Sequence, residues 1–217
     1  MLLTSQANLL RDSLDTKRPL LFLKSNWGNM KKLWLIFAAA GGALAFGFYK
    51  LSRFDAEPAP YEVTRSEGRF ELRRYPSLAV ARTPMHGDRD ASFKRLFRFI
   101  SGENERKEKI SMTTPVLFDT SSRNRMTFFM PAATRHRGIP QPASKEVEVD
   151  QQPGSEVAVV RFSGPMREQS ERRAVEELRA WLRTEGLESN GEPFIAYYDS
   201  PMIPGPLRRN EAMIPIA

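Results

Sequence analysis

From residue 61 onward the hydrophobic positions change period several times, and each change marks an element. Phe70 and Leu72 alternate with charged neighbours in FELRRY, the period-2 signature of a strand. Leu78-Ala79-Val80-Ala81 is a continuous apolar run and reads as a more buried strand. A helix follows, with Phe93, Leu96, Phe97 and Ile100 at i, i+3, i+4, i+7. Asp90 or Ser92 can cap its start, Ser101-Gly102 ends it, and Lys94, Arg95 and Arg98 fall on the solvent side. Ile110 to Phe118 and Met126 to Met130 read as two extended stretches joined by a polar turn at 119–125. The plan then recurs. Glu156 to Phe162 is a strand, and Gln169 to Thr184 a helix with Val175, Leu178, Trp181 and Leu182 on one face and Gly186 as its stop. Phe194 to Tyr198 and Ala212 to Ile216 supply the last strands. The expected fold is α+β: duplicated β-α-β-β halves forming a distorted antiparallel β-barrel with two helices. Thr134 to Pro153, rich in Pro, Gly and charge, is the connection between the halves.

Upstream the pattern is different. Leu33 to Tyr49, LWLIFAAAGGALAFGFY, has no charge and lies between Lys31-Lys32 and Lys50. As a helix it would span roughly 26 Å, at the short end of what a bilayer core needs. Trp34 and Tyr49 stand near its ends, where amphipathic rings prefer the headgroup level. The organisation expected is a basic leader at 1–32, a transmembrane or signal-anchor helix at 33–49, a linker at 50–60 and one domain at 61–217. A cleaved secretory signal is the competing reading, because Met30-Lys31-Lys32 resembles a start with a basic n-region and Ala43-Leu44-Ala45 fits small-x-small cleavage. Phe46 to Tyr49 carry the apolar run past that site and favour a retained anchor.

Charge separates at the same boundary. Residues 1–54 hold eight Lys/Arg against two acids, a net +6, whereas the remainder is near neutral at +1. A pI of 9.9 would ordinarily raise nucleic-acid binding, but an excess confined to the leader more simply orients a membrane segment. Lys17, Arg18, Lys24, Lys31 and Lys32 precede the span, which favours an N-terminus inside the cytoplasm and a domain on the extracytoplasmic, periplasmic side. No cysteine exists, so thiolate chemistry and disulfides are excluded.

Catalytic signatures are absent: no Walker loop, no G-x-S-x-G turn and no H-E-x-x-H helix. His86 and His136, the only histidines, lie in separate polar stretches. Glu103, Glu105 and Glu108 alternate with bases in a hydrophilic turn. The chain is therefore expected not to be an enzyme. What does stand out is Asp199 to Pro206, DSPMIPGP, which holds Met202 and Ile203 in a proline-stiffened loop immediately before Arg208 and Arg209. An apolar loop beside guanidinium groups suits an amphipathic ligand with a flat body and carboxylate edges.

Four blocks occur in order: YEVTRSEGRFELRRYPSLAVA at 61–81, FKRLFRFISGENERKEKISMTTPV at 93–116, MTFFMPA at 126–132 and YYDSPMIPGPLRRNEAMIPI at 197–216. Through them the chain resembles the SOUL heme-binding protein family, over essentially the whole domain. The most recognisable groups are Ile-Ser-Gly-x-Asn at 100–104, Met-Thr-x-Pro-Val at 112–116 and Arg-Arg-Asn-Glu at 208–211. The resemblance implies a duplicated barrel with two helices and a shallow apolar surface for heme or another tetrapyrrole. That surface lies between the first helix and the loop joining the last two strands, so it implies Phe93 and Phe97 with Met202 and Ile203. Heme would rest on apolar contact, on Arg208, Arg209 or Lys94 near the propionates, or on a weak Met ligand such as Met202. Some members carry a histidine just before the tyrosine of the Arg-x-Tyr segment, a candidate axial ligand; here that position is Arg74, which cannot ligate iron. The function implied is a membrane-tethered tetrapyrrole-binding protein that buffers, carries or senses its ligand. The alternative is an interaction module that keeps the fold without the ligand and contacts a protein partner or lipid. Nucleic acid is not an expected partner.

Overall fold

The computed structural model describes residues 56–120 and 124–217; the predicted anchor at 33–49 lies outside them. The elements are β1 (Glu57–Pro58), β2 (Glu62–Glu67), β3 (Phe70–Tyr75), β4 (Leu78–Pro84), α1 (Arg89–Ile100), β5 (Thr113–Thr114), β6 (Val116–Asp119) and β7 (Arg125–Phe129). They continue with α2 (Ala132–Arg137), β8 (Glu148–Gln152), β9 (Ser155–Phe162), α3 (Glu168–Thr184), β10 (Phe194–Tyr197), a 3-10 turn at Gly205–Leu207 and β11 (Asn210–Ile216). Nine strands form one sheet in the order β2-β3-β9-β11-β10-β6-β7-β4-β8, and every ladder in it is antiparallel.

The duplication is present, as β-β-α-β-β halves rather than β-α-β-β, the extra strand of the second half being β8. β3-β4-α1-β6-β7 matches β8-β9-α3-β10-β11, and the halves meet at the β10–β6 ladder. The leading strands are exchanged: β3 pairs with β9 of the second half, and β8 with β4 of the first. Two-residue turns, Pro76-Ser77 and Pro153-Gly154, link each exchanged strand to its successor. The two turns pass so close that a Cβ on Gly154 would stand 3.0 Å from the Tyr75 carbonyl oxygen. Only glycine fits there without displacing backbone.

Both faces of the sheet bury apolar side chains, which is why β4 and β9 read as continuous apolar runs. On one face α1 packs over β4 and β7, and α3 over β9 and β11. Leu96, Phe99, Leu178 and Trp181 meet Ala81, Phe128, Val160 and Ile214 there. On the other face Leu78, Val80, Leu117, Val157, Val159 and Met213 form a second cluster without a helix over it.

Several expectations are corrected. The sheet is a curled half-barrel, because its edge strands β2 and β8 do not pair with each other. β8 lies within the stretch taken as a connection, and β2 was not marked by any apolar period; it is exposed at every position. A third short helix, α2, occupies 132–137. Within the stretch expected as linker, Glu57–Pro58 pairs with β5, and Ala59, which is buried, donates its N–H to the Thr114 carbonyl. The cap of α1 is Asp88, whose carboxylate accepts from Ala91 N–H at 2.9 Å. The buried stripe of α1 is Ser92, Leu96, Phe99 and Ile100, so Phe93 and Phe97 are displaced from the core. Arg95 is not a solvent residue: it donates to Thr83 Oγ1 at 3.0 Å and to the Pro84 carbonyl. Among the described residues no helix is long and apolar enough to cross a membrane.

Candidate functional site

The displaced phenylalanines form an aromatic surface on α1. Their rings stack at 5.9 Å with 15° between planes, and Phe93 meets buried Phe128 edge-on at 5.4 Å. Phe93 is 38% and Phe97 48% exposed. α1 runs back along β4, so its last turns return to the sheet end at which β10 passes into β11.

That passage, residues 198–209, is a shaped loop. Ile203 is buried to 1% and pins it to the body, while Met202 beside it is 68% exposed and Leu207 56%. Arg208 braces the loop from within: Nε donates to the Ile203 carbonyl at 2.6 Å, and a terminal nitrogen donates to the Pro201 carbonyl. Gly164 N–H bonds the Gly205 carbonyl, and Asn210 Nδ2 bonds the Gly164 carbonyl at 2.9 Å. The structure thus leaves Phe93 and Phe97 on α1, and Met202 on the β10–β11 loop, as exposed apolar groups. It makes Ile203 an anchor and commits Arg208 to the loop. Leu207, the further exposed apolar residue of this loop, was missed because it follows a proline-rich stretch without periodicity.

Arg209 points elsewhere, into a network on the helix-free face. Its N–H donates to Asp199 at 2.6 Å, its guanidinium stacks on Tyr198 at 4.0 Å, and it donates to Glu211 Oε1 at 2.7 and 2.9 Å. Glu211, fully buried, also receives both terminal nitrogens of fully buried Arg73, at 2.7 and 3.0 Å, and the Tyr198 hydroxyl at 2.8 Å. Arg73 Nε reaches Glu71 Oε2 at 2.7 Å, and Arg161 donates to the other Glu71 oxygen at 2.5 Å. Burial pushes the Glu211 carboxyl up, but the hydrogen bonds and charges of Arg73 and Arg209 outweigh it and hold the group below the usual carboxylate range. Burial raises the Tyr75 phenol to about 12, against the opposing effect of Arg73. Sequence reading missed this network, since its members alternate with apolar residues and its central pair is 138 positions apart.

A second polar junction joins the two helices. Arg89, at the start of α1, donates both terminal nitrogens to Glu171 in the first turn of α3 at 2.6 and 2.7 Å, and Tyr197 OH bonds the same carboxylate at 2.5 Å. Burial raises the Glu171 carboxyl, but the Arg89 and Tyr197 hydrogen bonds prevail and its pKa is lowered. It closes one side of a groove of about 500 Å³ between α3 and the β6–β7 turn, lined by Phe118, Val175 and Arg179.

The positions considered for iron are all on the surface. Arg74, where some relatives carry histidine, has a side chain 58% exposed and bonds Glu156 at 2.7 Å. His86 lies in the turn before α1, 3.7 Å from Glu146, and His136 is exposed on α2. Among the described residues no group of three or more His, Cys, Asp or Glu is placed to hold a metal ion.

Comparison with known proteins agrees with this architecture. The EcmrR C-terminal domain superimposes with a TM-score of 0.51 at 13% identity, covering 72% of this chain and 98% of that one. An uncharacterized conserved protein from Listeria innocua gives 0.51 at 13% identity over 70% of this chain and 94% of its own. EcmrR in its complex with DNA gives 0.51 at 12% identity over 86% and 70%. At such identities the likeness establishes the fold alone. A search of curated proteins finds no match. The family comparison is specific: residues 56–215, nearly all of the folded domain, match the SOUL heme-binding protein family, and the chain belongs to that family.

Proposed function

We propose that this protein binds heme or a related tetrapyrrole without catalysing a reaction on it, and does so at a membrane surface. The observation that carries the reading is the stacked, exposed Phe93–Phe97 pair on α1, beside which the β10–β11 loop carries a second exposed apolar group in Met202. Exposed aromatic surface on a helix, set against a braced apolar loop, suits a flat macrocycle whose rings leave water on binding. Leu207 extends that surface. Arg208 contributes by holding the loop, and the macrocycle is held chiefly by apolar contact, with Met202 as the available soft ligand. The uncharged run at 33–49 is the tether, and the basic leader orients it with the domain on the extracytoplasmic side.

Titration of full-length protein in nanodiscs with hemin, corrected for empty discs, tests the binding. A saturable Soret change is expected, with Met202→Asp and Phe97→Asp weakening it by on the order of 2 kcal/mol each, since a charge would replace buried apolar contact. Absence of saturable binding by a folded protein would refute the reading and favour an interaction module. The tether is tested by carbonate extraction, which should leave the intact chain in the membrane fraction. Release by salt alone would refute it.

A further inference from the structure

The chain enters the domain beside a basic face. β1 begins at Glu57, whose Oε1 accepts the backbone N–H of Ala132, the first residue of α2, at 3.0 Å. α2 has six residues and is therefore about 9 Å long, so all of it stands close to the entry point. The turn at 103–109 lies against it: Arg106 donates to the Arg137 and Gly138 carbonyls, and Arg137 bonds Glu108 at 2.6 Å. Entry strand, turn and α2 thus form one continuous surface.

Its charges do not cancel. Glu57, residues 98–109 and residues 132–137 together hold six Lys/Arg against four acids, whereas the whole of 55–217 carries only +1, so the positive excess of the domain is gathered here. Each of the four acids is engaged: Glu103 pairs with Arg98 at 3.3 Å, Glu108 with Arg137 and Arg106, Glu105 accepts Gln141 N–H at 3.1 Å, and Glu57 holds Ala132. Lys107 and Lys109 are exposed, and neither they nor Arg135 form an ion pair among the described residues; Arg135 Nε is enclosed without a partner. The sequence before the entry point limits what this surface can meet. Only seven residues, 50–56, separate the uncharged run at 33–49 from Glu57, and Lys50 and Arg53 among them are basic. Fully extended, the chain from Tyr49 to Glu57 reaches at most about 29 Å. A tethered domain therefore keeps this face within reach of phospholipid headgroups, where even a weak contact is held at high effective concentration. Each Lys or Arg close to an anionic leaflet strengthens association about fivefold.

We infer that the face formed by the 103–109 turn and α2 rests on the anionic phospholipid headgroups of the membrane that holds the tether, an inference that depends on the tether proposed above. The contact is electrostatic, carried by Lys107, Lys109 and Arg135. Hydrogen–deuterium exchange of full-length protein reads it, in nanodiscs of phosphatidylcholine alone and of phosphatidylcholine with phosphatidylglycerol. Amides of 103–109 and 132–137 should exchange at least about threefold more slowly in the anionic discs, while those of α3 should not change. Raising the ionic strength should remove the difference, because exposed charges are screened within about 10 Å. Lys107→Gln/Lys109→Gln, which alters two exposed side chains, should shrink it, and adding Arg135→Gln should abolish it, with folding verified by circular dichroism. Equal exchange in the two kinds of disc, a difference that survives high salt, or indifference to the double lysine variant would each overturn the inference. The same protection produced by inorganic phosphate over phosphatidylcholine discs would also overturn it, assigning the face to a soluble anion. A chain that leaves the discs refutes the tether, and this contact with it; a chain that stays in them with composition-independent exchange refutes the contact alone.

Discussion

Removing the carboxylate at Glu211 perturbs a fully buried charge. Arg73 and Glu211 are both fully buried, and Glu211 accepts five hydrogen bonds from Arg73, Arg209 and Tyr198. Glu211→Met leaves Arg73 and Arg161 sharing the carboxylate of Glu71, and Arg209 without its carboxylate partner. Breaking a buried ion pair from one side costs about 3–5 kcal/mol. Arg73 keeps Glu71 at 2.7 Å, so the lower part of that range, about 3 kcal/mol, is expected. The double variant Arg73→Met/Glu211→Met removes both enclosed charges, leaving Arg161 with Glu71 and a partly exposed Arg209 that can reach water. It should therefore lose less stability than Glu211→Met alone, although it carries one more substitution. Urea denaturation followed by far-ultraviolet circular dichroism measures both differences. A Glu211→Met loss below about 1 kcal/mol, or a double variant less stable than the single one, would refute the assignment of Arg73 as a buried charge that needs this partner.

The two depressed carboxylates set the acid limit. Glu171 and Glu211 have folded pKa values below the usual value of about 4.3, so their stabilisation is complete above that value and is lost as pH falls through the folded values; denaturation at pH 7, 5, 4 and 3 should show the fall steepest below about 4.5, and Glu171→Gln should flatten it. Gly154→Ala places a methyl 3.0 Å from the Tyr75 carbonyl and should lower stability by about 1–3 kcal/mol in a thermal melt, whereas Gly68→Ala, with open space around it, should show only the cost of its left-handed backbone. Arg208→Met should release the 201–203 carbonyls, leave the melting temperature within a few degrees of the parent, and increase proteolytic nicking in the loop.

What could be read from sequence depended on whether one residue or a pair carried the information. α3 was legible because its apolar stripe is long and unambiguous, and Val175, Leu178, Trp181 and Leu182 are all buried. α1 was placed correctly but rotated. Two phenylalanines outrank a serine by residue type, yet Ser92 faces inward because its hydroxyl bonds the Asp88 carbonyl at 2.7 Å and satisfies itself locally. β2 and β8 left no apolar period because edge strands here are paired through backbone and flanked by polar side chains. The exchange of leading strands has no local signal at all. It appears only once β3 is seen against β9 and β8 against β4.

The residues that make the family recognisable hold the fold in this chain. Asn104 of the first group bonds the Phe99 carbonyl at 3.0 Å and the Glu108 carbonyl at 2.8 Å, closing the turn after α1. Thr113 of the second bonds the Phe129 carbonyl at 2.8 Å. In the third, Arg208 braces the loop, Arg209 and Glu211 join the buried network, and Asn210 ties the loop to Gly164. Each of these groups needs a particular hydrogen-bonding geometry, which few other side chains supply. An apolar ligand surface makes no such demand, because Phe, Leu, Met and Ile offer nearly interchangeable area. Recognisable motifs and the proposed ligand surface therefore separate: the motifs report the scaffold, while the exposed apolar groups Phe93, Phe97, Met202 and Leu207 follow no fixed pattern. The departure at Arg74 follows the same logic. Its side chain points to solvent against Glu156, so Arg74→His should leave the spectrum of any heme complex as it was, and a shift toward a histidine-ligated Soret band would show that β3 reaches the ligand after all.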